Sequence, residues 1–412
     1  MEKGKVCHIE NEGFPQIGNE TMKYLIIGNG VAGTEAALTI RKNDPVGEIT
    51  IISESEHLFY YRPKLIDYLA GEITIDKLTI YQKEFYDKRN IQNILGTRVE
   101  KIVPKDKITV SEDGTKHEYD KLLLATGASC FIPPIQGTDK PGVFSLRGIK
   151  DADDIRAYSR DITNVAVIGG GLLGLETAYS LRKLGKKVTV IEVYGRLLPR
   201  QLDDEGAAIL RKILEDKGLS FILPGVVQAI EGNGKVENVT LRSGVPVKTD
   251  MVLICAGIRG RDELAKDIGA TVRKGIVVND YLQTSIEHIY CAGDPAEHHG
   301  RLYGLWPPAK EQGMITGLNM AGVPTPYRGT VCSSTLKITG IDVYSAGDIE
   351  ADDAEILFSK DKGVYRKLLL KNEKAIGTIV VGDSKAVIMA SRMFAGETVS
   401  EEFKKYFQGR VG

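Results

Sequence analysis

The sequence predicts an α/β fold: two parallel-sheet units built to one plan, followed by a small α+β domain. Three observations predict it. An apolar run leads into a glycine-rich turn at Gly28-Asn29-Gly30-Val31-Ala32-Gly33, and another does so at Gly169-Gly170-Gly171-Leu172-Leu173-Gly174, 141 residues later. Each copy is closed by a later apolar run that ends in small residues, over 122–127 and 253–257. From about residue 331 the pattern changes to a hairpin and a helix.

The composition agrees with a globular chain. The 412 residues suggest about two to four domains. A 42% hydrophobic and 26% charged composition excludes disordered, collagenous and coiled-coil classes. Lys+Arg (54) and Asp+Glu (55) balance, so the basic excess of a nucleic-acid binder is missing. No run of about 18 apolar residues marks a membrane span, and the N-terminus lacks a signal-peptide core. The expectation is a soluble, cytoplasmic protein.

In chain order, residues 1–21 are polar and unpatterned and read as a tail. Residues 23–27 read as a strand, the first glycine turn opens a helix through Lys42, and a second strand over 49–52 leads to Glu54. The second copy repeats this: a strand over 165–168, a helix through Leu184 with Gly185 at its end, and a strand over 187–191 leading to Glu192. A third strand end follows at 289–294, closing on Asp294. Trp306-Pro307-Pro308 precedes a helix over 309–321, where proline suits a helix start. Residues 364–370 and 375–381 form a hairpin about Asn372-Glu373, and 384–395 read as a helix.

The glycine spacing carries chemistry. In a G-x-G-x-x-G turn the first glycine (Gly28, Gly169) permits the tight bend. The second (Gly30, Gly171) admits a pyrophosphate to the backbone, and the third (Gly33, Gly174) packs helix on strand. The helix N-terminus then offers unpaired N–H groups to phosphate. Glu54 follows Gly33 by 21 residues and Glu192 follows Gly174 by 18, close to the spacing of about 20 at which an acid accepts from ribose hydroxyls. Two complete copies predict two bound dinucleotides. No arginine replaces Glu192, which favours NADH over NADPH, although Arg196 and Arg200 lie close downstream.

The five cysteines, Cys7, Cys130, Cys255, Cys291 and Cys332, form no C-x-x-C pair and no cluster. A local redox disulfide, an iron–sulfur centre and a zinc site are not expected. His298 and His299 are adjacent, but no metal-ligand spacing surrounds them. Cys130, Cys255 and Cys291 read as small hydrophobes.

The two glycine motifs, the 119–127 stretch and Ala292-Gly293-Asp294 together resemble the FAD-dependent pyridine-nucleotide oxidoreductases. The resemblance covers residues 22–330. It implies two Rossmann-like FAD/NAD(P)-binding domains, the NAD domain (136–250) inserted in a discontinuous FAD domain (22–135 and 251–330), plus a small α+β domain over 331–412. It places FAD at Gly28, Gly30, Gly33, Glu54, Thr126, Gly127 and Asp294, and NADH at Gly169, Gly171, Gly174, Glu192 and Gly257.

The run Tyr60-Tyr61-Arg62-Pro63-Lys64-Leu65 stands where disulfide reductases carry redox cysteines. It looks like the NADH:rubredoxin reductases, and the chain is also similar to the front module of assimilatory nitrite reductases. The implied partner is a rubredoxin-like electron carrier or a partner reductase subunit. The ferredoxin-reductase-like pattern has a lysine three positions beyond Lys64, paired with the residue matching Glu176. Here that position is Asp67. Lys64 is expected to supply the charge instead, with Glu176 beside the flavin. Arg62 is read as a cofactor contact or a packing arginine. Trp306 is read as lining the nicotinamide or carrier side or as ordinary packing. An NADH oxidase and an NADH-sensing module remain open. Residues 331–412 hold 12 Lys+Arg and 12 Asp+Glu, so their linear sequence shows no basic bias for docking an acidic carrier.

Overall fold

The computed structural model describes residues 21–336, 338 and 340–409. The expected tail, apart from Thr21, lies outside the described residues, as does Cys7. In the first unit a five-stranded sheet takes the order Ile289–Cys291, Lys121–Leu124, Lys23–Ile27, Glu48–Ile52, Ile91–Ile94, with every pairing parallel. The central strand reads KYLII, and its last four residues are buried. A strand buried on both faces needs such a run. Ile26 and Leu123 face one apolar cluster with the helix Val31–Asn43, while Leu25, Leu122 and Leu124 face another.

The second unit repeats the arrangement. Its sheet runs Ser220–Ile222, Lys187–Ile191, Asn164–Ile168, Met251–Ile254, Val143–Phe144. In both units the chain leaves the central strand through a glycine turn and helix, adds the next strand on one side, then returns to the other side. That reversal opens a crevice at the carboxyl ends of the strands. Each return passes through a three-stranded antiparallel sheet, over 99–118 and 227–248. Sequence periodicity did not single these meanders out.

The pairing corrects one expected boundary. Met251–Ile254, assigned to the FAD unit, pairs in parallel with Asn164–Ile168 and is fully buried in the second sheet. The crossover back to the first unit comes after it, where Ile258–Gly260 pairs with Ala128–Cys130.

The third part is a five-stranded antiparallel sheet with the helices Ser384–Phe394 and Glu401–Phe407 packed on one face. Its other face, through Tyr365, Ile379 and Val381, joins the core of the second unit at Leu197 and Leu210. The expected hairpin is present, and Asn372 and Glu373 both take positive φ, 49° and 59°, as a two-residue type I′ turn requires.

Candidate functional site

A single cleft of about 2340 Å³ joins the two crevices. That exceeds the roughly 300–1,000 Å³ of a pocket for one small ligand. Its floor is made by the glycine turns. Gly28 and Gly169 have φ of 109° and 118°, and a Cβ on them would lie 2.2 and 2.4 Å from the carbonyl oxygens of Ala125 and Cys255. A Cβ on Gly33 or Gly174 would come within 2.0 Å of the carbonyl oxygen of Gly28 or Gly169. Those two glycines therefore act in packing, and neither lines the cleft. Gly30 and Gly171 are the opposite case: nothing lies within 4 Å of a built Cβ, and both line the cleft.

The helices Val31–Asn43 and Leu172–Lys183 begin at Gly30 and Gly171 with no side-chain cap. The helices Asp204–Asp216 and Ser384–Phe394, which start elsewhere, are capped by Asp203 and Asp383. Leaving two cleft-facing N-termini uncapped keeps their N–H groups available for an anion. The cradles thus fit the pyrophosphates of two dinucleotides. Asn29 steadies the first turn: it donates to the carbonyl of His57 (2.7 Å) and accepts from Ser53 (2.9 Å).

The two acids are held differently. Glu192 is only 6% exposed, and its carboxylate accepts from the backbone N–H of Gly170 (2.5 Å) and Tyr194 (3.0 Å). Glu54 is exposed and takes a hydrogen bond from Arg261 (2.7 Å). Arg261 is also tied to the turn beyond Lys121–Leu124, because its carbonyl accepts from the Thr126 hydroxyl (2.7 Å) and its N–H donates to Gly127 (2.9 Å). Gly257, with φ 112°, lines the cleft on the second side.

Asp294 lies in the cleft lining and is ion-paired with Arg147, a residue the sequence reading did not select. Arg147 also donates to the carbonyl of Ala128 (2.9 Å). Burial, and then the charge of Arg62, hold its pKa below the ordinary guanidinium value. Arg62 and Arg147 are thus two neighbouring cations in the cleft lining. No sequence signal could have singled out Arg147, since its partner lies 147 residues away.

Trp306 is the first residue of the helix Trp306–Met320, which also opens uncapped at the cleft. The indole stacks on Phe59 (5.7 Å between centroids) and meets Tyr61 edge-on (4.9 Å). This helix crosses Val31–Asn43 closely: a Cβ on Gly313 would be 2.4 Å from the Ala32 carbonyl oxygen. Glu176 lies half-buried in the cleft lining. Lys64 does not join it: Lys64 is exposed, and neither it nor Asp67 is in the lining. The reason is local. The chain passes from a 3-10 turn, Arg62–Lys64, into the helix Leu65–Leu69, whose Leu65, Ile66 and Leu69 are buried.

Three cysteines, Cys130, Cys255 and Cys332, line the cleft. Burial pushes the Cys255 thiol up to about 12 and also raises that of Cys332. A raised pKa disfavours the thiolate at Cys255 and Cys332. Asp280, outside the cleft, accepts from both His298 and His299, a carboxylate that histidine spacing alone did not reveal.

The family model for the pyridine nucleotide-disulphide oxidoreductases matches residues 22–313. The chain belongs to that family. A second model, the C-terminal domain of rubredoxin NAD+ reductase, matches residues 333–393. Membership carries FAD and NAD(P)H as cofactors, the two groups that the paired cradles fit. Among the family's proteins, a nitrite reductase [NAD(P)H] of Bacillus subtilis is 38% identical over 369 residues, covering 88% of this chain and 46% of that protein. The NADH-rubredoxin oxidoreductase of Clostridium acetobutylicum is 32% identical, covering 88% of this chain and 92% of its own. The structure of a covalent putidaredoxin reductase–putidaredoxin complex superimposes with a TM-score of 0.84 at 26% identity, over 94% of this chain and 96% of that one. The chain spans about half the length of the nitrite reductase it matches. No helix among the described residues is long and apolar enough to cross a membrane.

Proposed function

We propose that this oxidoreductase takes hydride from NADH and passes electrons singly to a small protein carrier of the rubredoxin type. One observation carries the proposal: a single cleft joins both nucleotide cradles, and the cysteines that line it, Cys130, Cys255 and Cys332, are free rather than paired as a redox disulfide. Bound FAD supplies the exchange between two-electron and one-electron chemistry, which belongs to the cofactor. The chain's own residues bind and orient.

Gly28, Gly30 and Gly33 shape the FAD pyrophosphate cradle, with Glu54 at its ribose end and Thr126, Gly127 and Asp294 along it. Gly169, Gly171 and Gly174 do the same for NADH, and Gly257 flanks them. Glu192 favours NADH because a 2′-phosphate would meet a buried carboxylate. Arg62 and Arg147 place positive charge where reduction adds negative charge. Trp306 and the uncapped start of its helix border the same region. Glu176 enters from the NADH side. Lys64, being exposed, suits the rim where a carrier would dock. Among the described residues Cys130, Cys255, Cys291 and Cys332 are free, which suits a reducing cytoplasm.

The half-length match to nitrite reductase favours a second reading, in which this chain is the electron-delivery module of a larger reductase. Turnover separates the two. Anaerobic NADH oxidation should continue for many cycles with oxidised rubredoxin and stop without it. NADH oxidation that rubredoxin leaves unchanged would end the carrier proposal.

A further inference from the structure

Away from the cleft, three ligand-type side chains converge on the FAD unit. The Nε2 atoms of His298 and His299 lie 3.0 and 2.8 Å from the same carboxylate oxygen, Oδ1 of Asp280. Neighbouring residues on a strand point to opposite faces. These two do not, because His298 ends the strand Ala296–His298 and His299 turns with φ 48°. Their ring centroids are consequently 4.1 Å apart. The ligand atoms of all three residues lie within 4.8 Å of one another. The His298 side chain is 3% exposed and leans on Tyr327, whereas those of His299 and Asp280 are 74% and 40% exposed. One ligand is anchored and two are open to solvent.

We propose that Asp280, His298 and His299 form a binding site for a divalent transition ion of the zinc class. Two imidazoles and one carboxylate are donors that suit zinc better than magnesium or calcium. Bonds of about 2.0–2.2 Å in a tetrahedral shell put neighbouring ligand atoms about 3.3 Å apart. The two nitrogen–oxygen distances would open by a few tenths of an ångström, and the imidazole nitrogens, within 4.8 Å of each other, would adjust to the same spacing. Each Nε2 faces the carboxylate; to ligate the ion it gives up any proton it carries there, to Nδ1 or to solvent. No electron is exchanged, and water completes the shell. The ion would staple the 279–283 turn to the segment that leads through Leu302 and Tyr303 to Trp306 at the cleft.

The test is calorimetric titration of chelator-treated, tag-free holoprotein with zinc chloride, alongside His299→Ala and Asp280→Asn. The flavin spectrum and zinc-free melting temperature of each variant report whether it folds; His299 is exposed, so its removal leaves both unchanged. The expected result is one zinc per chain, bound at least ~10-fold more weakly by either variant, and a zinc-dependent rise in melting temperature that His299→Ala abolishes. Failure of the wild-type chain to bind zinc, or wild-type affinity in the variants, overturns the proposal.

Discussion

At Gly28 and Gly169 only glycine fits, because the clash of a side chain there is with backbone, which cannot rotate away. The two positions should also be separable. Gly28→Ala is expected to purify with FAD depleted by ~10-fold or more in affinity, about 1.4 kcal/mol. Gly169→Ala should keep its FAD but show a KM for NADH raised by a similar factor; visible absorbance and steady-state kinetics check both. Glu192 makes its own prediction. Glu192→Ala removes the acceptor for Gly170 and the carboxylate that repels a 2′-phosphate, so the ratio of kcat/KM for NADH over NADPH should fall ~10-fold or more.

These residues were legible because each motif is contiguous and its meaning is local. Arg147 was not, because an isolated arginine acquires a role only when folding brings Asp294 to it. Lys64 was misplaced for the opposite reason. The family resemblance, with Asp67 in the place of its lysine, implied Lys64 as a flavin-side cation, but three buried neighbours in the following helix fix which way that segment faces.

Among the elements, the third domain's first helix depends on Asp383. Its carboxylate caps Ala386 and is paired with Arg366 and Tyr406. Burial pushes this carboxyl up, but the bonds from Ala386, Arg366 and Tyr406 outweigh it and hold the pKa below the ordinary value. A lowered folded-state pKa stabilises above the unfolded value of about 3.9 and is lost as pH falls through the folded one. Acid melting of the wild-type protein should therefore include a limb below pH ~4 that Asp383→Asn flattens, since asparagine retains the cap but not the charge. In the hairpin, Glu373→Gly relieves a left-handed backbone and should raise stability by about 1 kcal/mol in denaturant melts. The hairpin could be read from its turn residues. The 253–257 run reads as closing the second copy, as its pairing with Asn164–Ile168 bears out, but the point where the chain crosses back to the first unit could not be read, because the short pairing of Ile258–Gly260 with Ala128–Cys130 carries no local mark.

For the whole molecule, one plan is used twice and the third domain is bound to the second copy. Asp203 accepts from Tyr365 (2.8 Å) and Lys367 (3.1 Å), and Glu205 pairs with Lys360. These contacts join residues more than 150 positions apart, so only the domain's existence could be read beforehand, not its docking. It brings Cys332, Ser334 and Ser345 to the cleft wall. With no thiol in the proposed route, replacing Cys130, Cys255 and Cys332 together by serine should leave NADH-driven carrier reduction within ~2-fold, well under the tenfold that 1.4 kcal/mol would produce.

The central claim is that one chain binds two dinucleotides on one cleft and moves electrons between them to an outside carrier. An anaerobic titration of the purified protein, first with NADH and then with oxidised rubredoxin, tests it most directly. Bleaching of the flavin absorbance by about one NADH per chain, reversed by rubredoxin over repeated cycles, is the predicted result. A protein that holds no flavin and takes none up, or whose flavin NADH leaves oxidised, would contradict the account.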